Sequence, residues 1–388
     1  MKLTVFSHKC CWSSAAARSG YATNGGFPFQ IKALSELFEA TRVVVPCIGS
    51  SRHPGEVPLM GHNLTVVPLT VPLGTGARRK LALPFWLLRN GTTLLREALQ
   101  AQAVHAVIPG DIGTFGMLLA WGLRKPLLVR HCGNWLVQRT AAEHFWRWFM
   151  ERSAGGRNIM LATGGGSSPP SRLNERVHWV FSTSLTAEEL AACASVRDAP
   201  TDGGPQLITV SRQIREKGTE IAIRSLSLLV DDYPTVRLHV VGDGPDLVDL
   251  RRVAVELGLE RQVVFHGQVG HDEVLRLLRS ADIFCLPTSA SEGFPKAVLE
   301  ALACGLPVIT TRVSVLPHLL ATGCGVLLDQ ASPEALARAV RVCLEEPSRY
   351  RAMSERAVST AREHSIEGWR ETIGGFVCRA WAPLTVHE

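Results

Sequence analysis

Along the 388 residues, short runs of β-branched and other apolar residues alternate with longer stretches in which apolar positions recur at helical spacing. In the first half KLTVFSH, RVVVPCI, LTVVPLTV, VHAVIPG and PLLVRHCG read as strands, with helical spacing between them in FQIKALSELFEA and around 84–101. The second half repeats the scheme with LITVSR, RLHVVGD, VVFHG, DIFCLP, PVITT and CGVLLD. Strand–helix alternation through both halves predicts an α/β chain of two doubly wound domains with parallel sheets. The Pro-, Gly- and Asp-rich stretch VRDAPTDGGPQ, residues 196–206, separates them. It sets the predicted domains at 1–198 and 205–365. Open parallel sheets bind ligands at the carboxyl ends of their strands, so two such domains facing each other would make a cleft. Residues 8–30 read as a long loop between the first strand and the first helix.

Composition narrows this only a little. The N-terminus MKLTVFSH is too short and too polar for a signal peptide, and no apolar run is long enough to predict a transmembrane helix. The ten cysteines are scattered, without a C-x-x-C pair, which predicts reduced, mostly buried thiols in a cytoplasmic protein. The formal charge of +6 is uneven: roughly +10 falls on residues 1–200 and roughly −4 on the rest. The basic half suits an anionic partner such as a membrane surface or a phosphorylated acceptor. No nucleic-acid-binding module accompanies it, so no nucleic acid is expected as a partner.

The segment SEGFPKAVLEALACG, 291–305, carries the most specific chemistry. It follows the apolar strand DIFCLP through a polar loop. Pro295 suits the first turn of a helix, where its missing N–H costs nothing. Glu292 then lies in the loop and Glu300 in the second helical turn, with roughly 7–8 Å of axis from Pro295 to Glu300. The free N–H groups of the helix N-terminus between the two acids suit phosphate. A nucleoside diphosphate sugar has this layout: Glu292 would hold the sugar, the amides the phosphates, and Glu300 the vicinal hydroxyls of the ribose. The plain alternative is a loop acid plus a solvated helix acid.

EGFPKAVLE resembles the E-x7-E motif of the retaining family 4 glycosyltransferases, which have the two-domain GT-B fold. VSRQIREKG is similar to the family's phosphate-binding segment, which implies donor-diphosphate contacts for Arg212 and Lys217. HVVGDGPDLVDL is similar to its strand–Gly-x-Gly-Pro–helix element, with Gly242 first, and ACGLPVITT to the stretch that follows the motif. Residues 206–345 resemble the family throughout, the N-terminal half less so. Pro295 stands where many relatives have glycine. The resemblance implies a donor site of Gly242, Gly293, Phe294, Pro295, Lys296 and Glu300, with Glu292, Arg212 and Lys217 in catalysis. In physical terms, fixed cations near a departing diphosphate lower the barrier more than they stabilise the ground state. No D-x-D triplet ends a strand, and metal-independent transfer is what the resemblance implies; neither a metal nor a cofactor beyond the donor is expected.

In the N-terminal half, Gly25 and Gly26 precede a helix opened by Phe27-Pro28, and the resemblance implies a donor-phosphate contact there. His131 ends the strand LLVRH, where similar proteins carry a histidine near the reacting carbon. Asp111 follows the strand VHAVI; it reads as an acceptor contact or general base on one side and a helix N-cap on the other. Residues 77–90 and 145–152 mix basic and aromatic residues, as a membrane interface or a core helix with basic flanks would. The loop 162–170 lacks the lysine of a P-loop. Residues 366–388 read as a terminal helix that, by resemblance, crosses back onto the first domain with Trp369 as a packing anchor.

The expected activity is transfer of a hexose-type sugar, with retention, from a UDP- or GDP-sugar to a hydroxyl on a glycan, lipid-linked or small-molecule acceptor. The expected place is the cytoplasm, with the inner membrane face open as a contact. Three rivals make different predictions. An epimerase would release a free isomer without acceptor, a phosphorylase would require inorganic phosphate, and a non-catalytic binder would tolerate Glu292→Gln.

Overall fold

A computed structural model describes residues 1–49, 56–74, 76–200, 204–290 and 294–385. The chain forms two compact units, Met1–Ser184 with Ile366–Glu388, and Leu185–Ser365. The first unit holds strands β1 (Lys2–Phe6), β2 (Cys11–Ser13), β3 (Tyr21–Thr23), β4 (Ala40–Ile48), β5 (Val57–Pro58), β6 (Leu64–Leu69), β7 (Ala103–Ile108), β8 (Leu127–His131), β9 (Asn158–Thr163) and β10 (Val177–Val180). Its helices are α1 (Phe27–Ser35), α2 (Gly76–Gln100), α3 (Asp111–Gly122) and α4 (Ala141–Ser153). The second unit carries β11 (Gln206–Val210), β12 (Arg237–Val241), β13 (Val263–Gly267), β14 (Ile283–Leu286), β15 (Val308–Thr311) and β16 (Gly325–Leu328). Around them lie α5 (Ala187–Cys193), α6 (Thr219–Leu226), α7 (Leu247–Glu256), α8 (His271–Ser280), α9 (Lys296–Ala303), α10 (Leu316–Leu319), α11 (Pro333–Leu344) and α12 (Pro347–Arg362). The last helix, α13 (Ile366–Thr385), returns to the first unit.

Both sheets are buried on two faces, which is why their strands read as nearly unbroken apolar runs. In the first unit Leu3 and Val5 enter a core with Ile31 and Leu34 of α1 and Trp369 and Trp381 of α13. Phe6 points the other way, toward Leu94, Met117 and Phe149 of α2, α3 and α4. In the second unit Phe284 and Leu286 join one core, Ile283 and Cys285 the other. That alternation is the pleat of a strand with helices above and below. The parallel order β10-β9-β8-β7-β1-β4, with β6 beside β4, makes the main sheet of the first unit; the second is β13-β12-β11-β14-β15-β16.

Three features depart from the sequence reading. Residues 8–30 are not one loop, because β2 and β3 pair antiparallel within them, Trp12 opposite Ala22. Strands of three residues are too short to show a period. β9 reaches Thr163, inside the stretch read as a Gly/Ser/Pro loop. The second unit begins at Leu185 rather than beyond residue 198, because Leu190 and Cys193 of α5 are buried in its core. Thr186 and Glu189 form a capping box at the start of α5, so the signature of that helix was present in TAEEL. All ten cysteines are free thiols, and Cys11, Cys193, Cys285, Cys304, Cys324 and Cys343 are buried.

Candidate functional site

In the second unit β11 and β14 are neighbours, and the chain order runs outward from them on both sides. This is a topological switch point, where the loops beyond two adjacent strand ends diverge and leave room for a ligand. The loop after β11 carries Arg212 and Lys217; the loop after β14 leads into α9. Hydrogen bonds hold the two loops together. The Glu216 carbonyl accepts from the N–H groups of Ser289 (2.8 Å) and Ala290 (3.1 Å) and from the Thr288 hydroxyl (2.9 Å). Lys217 ends a short 3-10 turn, Arg215–Lys217, ahead of α6. Arg212 is exposed.

Gln213 underlies this arrangement and had no signal in the sequence. Fully buried, its amide donates to the carbonyls of Ser211 (2.8 Å) and Val241 (3.1 Å) and accepts from the Thr219 hydroxyl (2.7 Å). The Gly-x-Gly-Pro turn lies against it. A Cβ on Gly242 would run into the Ser211 carbonyl oxygen, and one on Gly244 into that of Gln213. The two glycines are therefore explained by backbone-to-backbone approach.

Pro295 occupies the N-cap of α9, one position before the first turn, and supplies no side-chain cap to the helix N–H groups. Lys296 opens the helix. Glu300 follows in the second turn and is buried, with Oε1 3.7 Å from Nδ1 of His271, the first residue of α8. Burial raises the Glu300 pKa against the opposing charges of His271 and Lys296. His271 is a neighbour of Glu300 that the sequence reading did not connect to it. The Phe294 ring lies 5.7 Å from that of His364. Glu292 and Gly293 lie outside the described residues.

The first unit gathers its own polar cluster at the carboxyl ends of β1, β7 and β8. His131 ends β8 as expected, but it is only 4% exposed, edge-on to Trp135 (5.6 Å) and Trp146 (6.4 Å). Burial pushes its pKa down to about 4, so the ring is neutral at pH 7. Asp111 is neither a free base nor an N-cap: Gly110 is the cap of α3, and Arg79 Nε donates to Asp111 Oδ2 at 2.7 Å. Arg79 Nη2 also lies 2.7 Å from His8 Nε2, and burial followed by the Arg79 charge lowers the His8 pKa. His8 and Arg79 are the partners the sequence did not connect, since they are far apart along the chain. Gly25 has a left-handed φ of +72° and Gly26 caps α1.

A sequence model of the family described as glycosyl transferases group 1 matches residues 196–360. The GDP-mannose-dependent alpha-(1-6)-phosphatidylinositol dimannoside mannosyltransferase of Mycobacterium tuberculosis is 34% identical over 280 residues, covering 66% of this chain and 70% of that relative. The chain belongs to the family 4 glycosyltransferases. A second relative of this family 4 chain, the GDP-mannose-dependent alpha-(1-6)-phosphatidylinositol monomannoside mannosyltransferase of Mycolicibacterium smegmatis, is 31% identical over 173 residues, 43% of this chain and 44% of the relative. The chain spans less than half the length of the first curated relatives it matches. Among solved structures, Anabaena HepE in complex with UDP superposes with a TM-score of 0.68 at 16% identity, covering 98% of this chain and all of that one. Sucrose-phosphate synthase from Thermosynechococcus elongatus gives 0.68 at 18% identity over 99% and 100%. These likenesses establish the GT-B type of fold.

Proposed function

We propose that this chain is a metal-independent, retaining glycosyltransferase that moves a hexose-type sugar from a UDP- or GDP-sugar to a hydroxyl of a glycan, lipid-linked or small-molecule acceptor. The observation that carries the reading is the junction at β11 and β14, where the Arg212–Lys217 loop is bonded to the loop that opens α9, with Glu300 buried one turn further on. In this reading the α9 N-terminus and the two cations take the diphosphate, and Glu300 accepts from the ribose hydroxyls. Gly242, Phe294, Pro295 and Lys296 line the donor, Gly293 and Glu292 hold the sugar, and Gly25 and Gly26 add a phosphate contact. The acceptor hydroxyl attacks from the face the diphosphate leaves, and a leaving phosphate oxygen takes its proton. Arg212 and Lys217 supply the positive charge that the leaving group needs. His131, neutral, hydrogen-bonds the sugar. Asp111, its charge held by Arg79, contacts the acceptor rather than abstracting a proton. The M. tuberculosis relative is named for GDP-mannose and a phosphatidylinositol acceptor and HepE is described with UDP, which supports testing both nucleotide series.

The proposal extends to a peripheral membrane contact at the cytoplasmic face. No helix among the described residues is long and apolar enough to cross a membrane. On α2, however, Leu81 (76% exposed), Phe85 (75%) and Leu88 (82%) stand on one face at i, i+4, i+7 spacing, with Arg78, Lys80 and Arg89 beside them, as an interfacial helix has them. The residues read from sequence as a core helix with basic flanks thus keep part of their apolar face outside the core.

A thermal-shift and turnover screen against UDP-, GDP-, ADP- and dTDP-sugars, run with and without EDTA, tests the enzyme reading. Stabilisation by one nucleotide series with EDTA-insensitive turnover is expected; no response to any donor overturns it. Flotation with anionic liposomes, lost in a Leu81→Ser/Phe85→Ser/Leu88→Ser variant of unchanged Tm, is expected of the membrane contact.

A further inference from the structure

Arg130 stands one residue before His131 on β8 and therefore on the opposite face of the sheet. Its register partners are Val107 on β7 and Leu161 on β9. Strand alternation turns it, with Leu128, toward the layer of α1 and α13. It is 2% exposed, and a guanidinium does not lose its proton in a protein. A full positive charge is therefore buried here. Its Nε and Nη1 atoms are out of contact with water, and no carboxylate, carbonyl or hydroxyl among the described residues receives them.

The neighbours do not neutralise it. His105 on β7 is fully buried; burial, and then the Arg130 charge, hold its pKa near 3, so it is uncharged. The Trp369 ring lies 5.2 Å from the guanidinium carbon. A single cation–π contact returns only a fraction of what it costs to strip water from an isolated ion. Two more polar groups in this layer are buried without a partner: Trp369 Nε1 and Thr163 Oγ1. Thr163 lies two residues beyond Leu161 on β9, so it faces the same side as Arg130. The guanidinium, the indole N–H and the hydroxyl are all hydrogen-bond donors. Their shared want is an acceptor with negative charge.

We propose that Arg130, Thr163 and Trp369 form a buried site for a small inorganic monoanion of halide size, which neutralises Arg130 and fastens α13 to the sheet of the first unit. A polyanion or a sugar phosphate is too large for residues this enclosed, and a cation would face three donors. The site is separate from the donor chemistry and stands whether or not the proposed transfer reaction is right.

The test is the melting temperature of the full chain in sodium bromide and in sodium gluconate at equal ionic strength, gluconate being too large to enter. An anion that binds only the folded state raises Tm with its concentration. The wild type should melt roughly 5–10 °C higher in bromide near a hundredfold excess over Kd. Arg130→Met removes the charge while keeping an unbranched side chain, a replacement that buried ionic sites commonly tolerate. That variant should melt at the same temperature in both salts. Trp369→Phe keeps the ring and loses the N–H, and should show a reduced difference, which keeps the idea testable if the methionine variant does not fold. In crystals grown in bromide, anomalous density should lie within hydrogen-bonding distance of Arg130 Nε. Equal salt responses in wild type and both variants, or an ordered water alone beside Arg130, would overturn the proposal.

Discussion

Replacing Glu300 by glutamine separates what this acid does for the donor from what it does to the fold. The side chain is 11% exposed and its only described ion-pair partner, His271, is 46% exposed. At 3.7 Å with water-like screening, that attraction is about 1 kcal/mol when His271 is protonated, and less when it is not. Taking a carboxylate out of water costs several kcal/mol, so burial wins, in agreement with the raised pKa. The sign follows from linkage. With the folded pKa above the unfolded one, the unfolded chain binds fewer protons, and the wild type loses stability as pH rises above the ordinary glutamate range. Glu300→Gln abolishes that loss. Near pH 8 the unliganded variant should therefore melt at a higher temperature than the wild type. Donor affinity should move the other way. Charge-assisted hydrogen bonds to the ribose are worth about 1.5–3 kcal/mol, so Kd for the matching nucleoside diphosphate should rise roughly 10- to 150-fold. Calorimetric titration gives the affinity, and melts from pH 5 to 8 give the stability. An unchanged Kd refutes the ribose role. A variant less stable than wild type at every pH refutes the reasoning about burial and makes Glu300 a structural partner of His271.

Gly242→Ala should lower Tm by several degrees and weaken donor binding together, because its Cβ meets the Ser211 backbone that carries Arg212; differential scanning calorimetry with nucleotide titration checks it. Arg212→Ala, at an exposed position, should leave Tm within about a degree while kcat falls roughly 100-fold, the usual effect of losing one transition-state donor. His131 and His105 have folded pKa values of about 4 and 3, below that of an unfolded histidine, so the unfolded chain binds more protons in acid. Stability should fall as pH drops below about 6.5, and His131→Asn should flatten part of that fall in melts from pH 7 to 4. Because His131 is already neutral, kcat should stay flat between about pH 6 and 8 as far as this residue sets it.

The strands of the second sheet, and β1, β4, β6, β7 and β8 of the first, were legible in the chain, whereas β2, β3, β5, β9 and β10 were not. A strand buried on both faces needs an apolar residue at nearly every position, and a helix start favours proline near its first turn. Those are local demands, and local sequence records them in DIFCLP and in Pro295, the N-cap of α9. What the tertiary structure decided is which groups are charged, neutral or held. Asp111 read as an acceptor contact, a general base or an N-cap, and the structure pairs it with Arg79 of α2; His131 read only as a histidine at a strand end, and the structure encloses it with Trp135 and Trp146. Gln213 gave no signal, because its role is to satisfy carbonyls that meet only when β11 and β12 pair. Nothing in LLVRH marks Arg130 as buried; the layer of α1 and α13 over this face of β8 buries it. Propensity and periodicity act over a few residues, whereas desolvation and charge pairing depend on neighbours brought from anywhere in the chain. Those neighbours set the chemistry of the site.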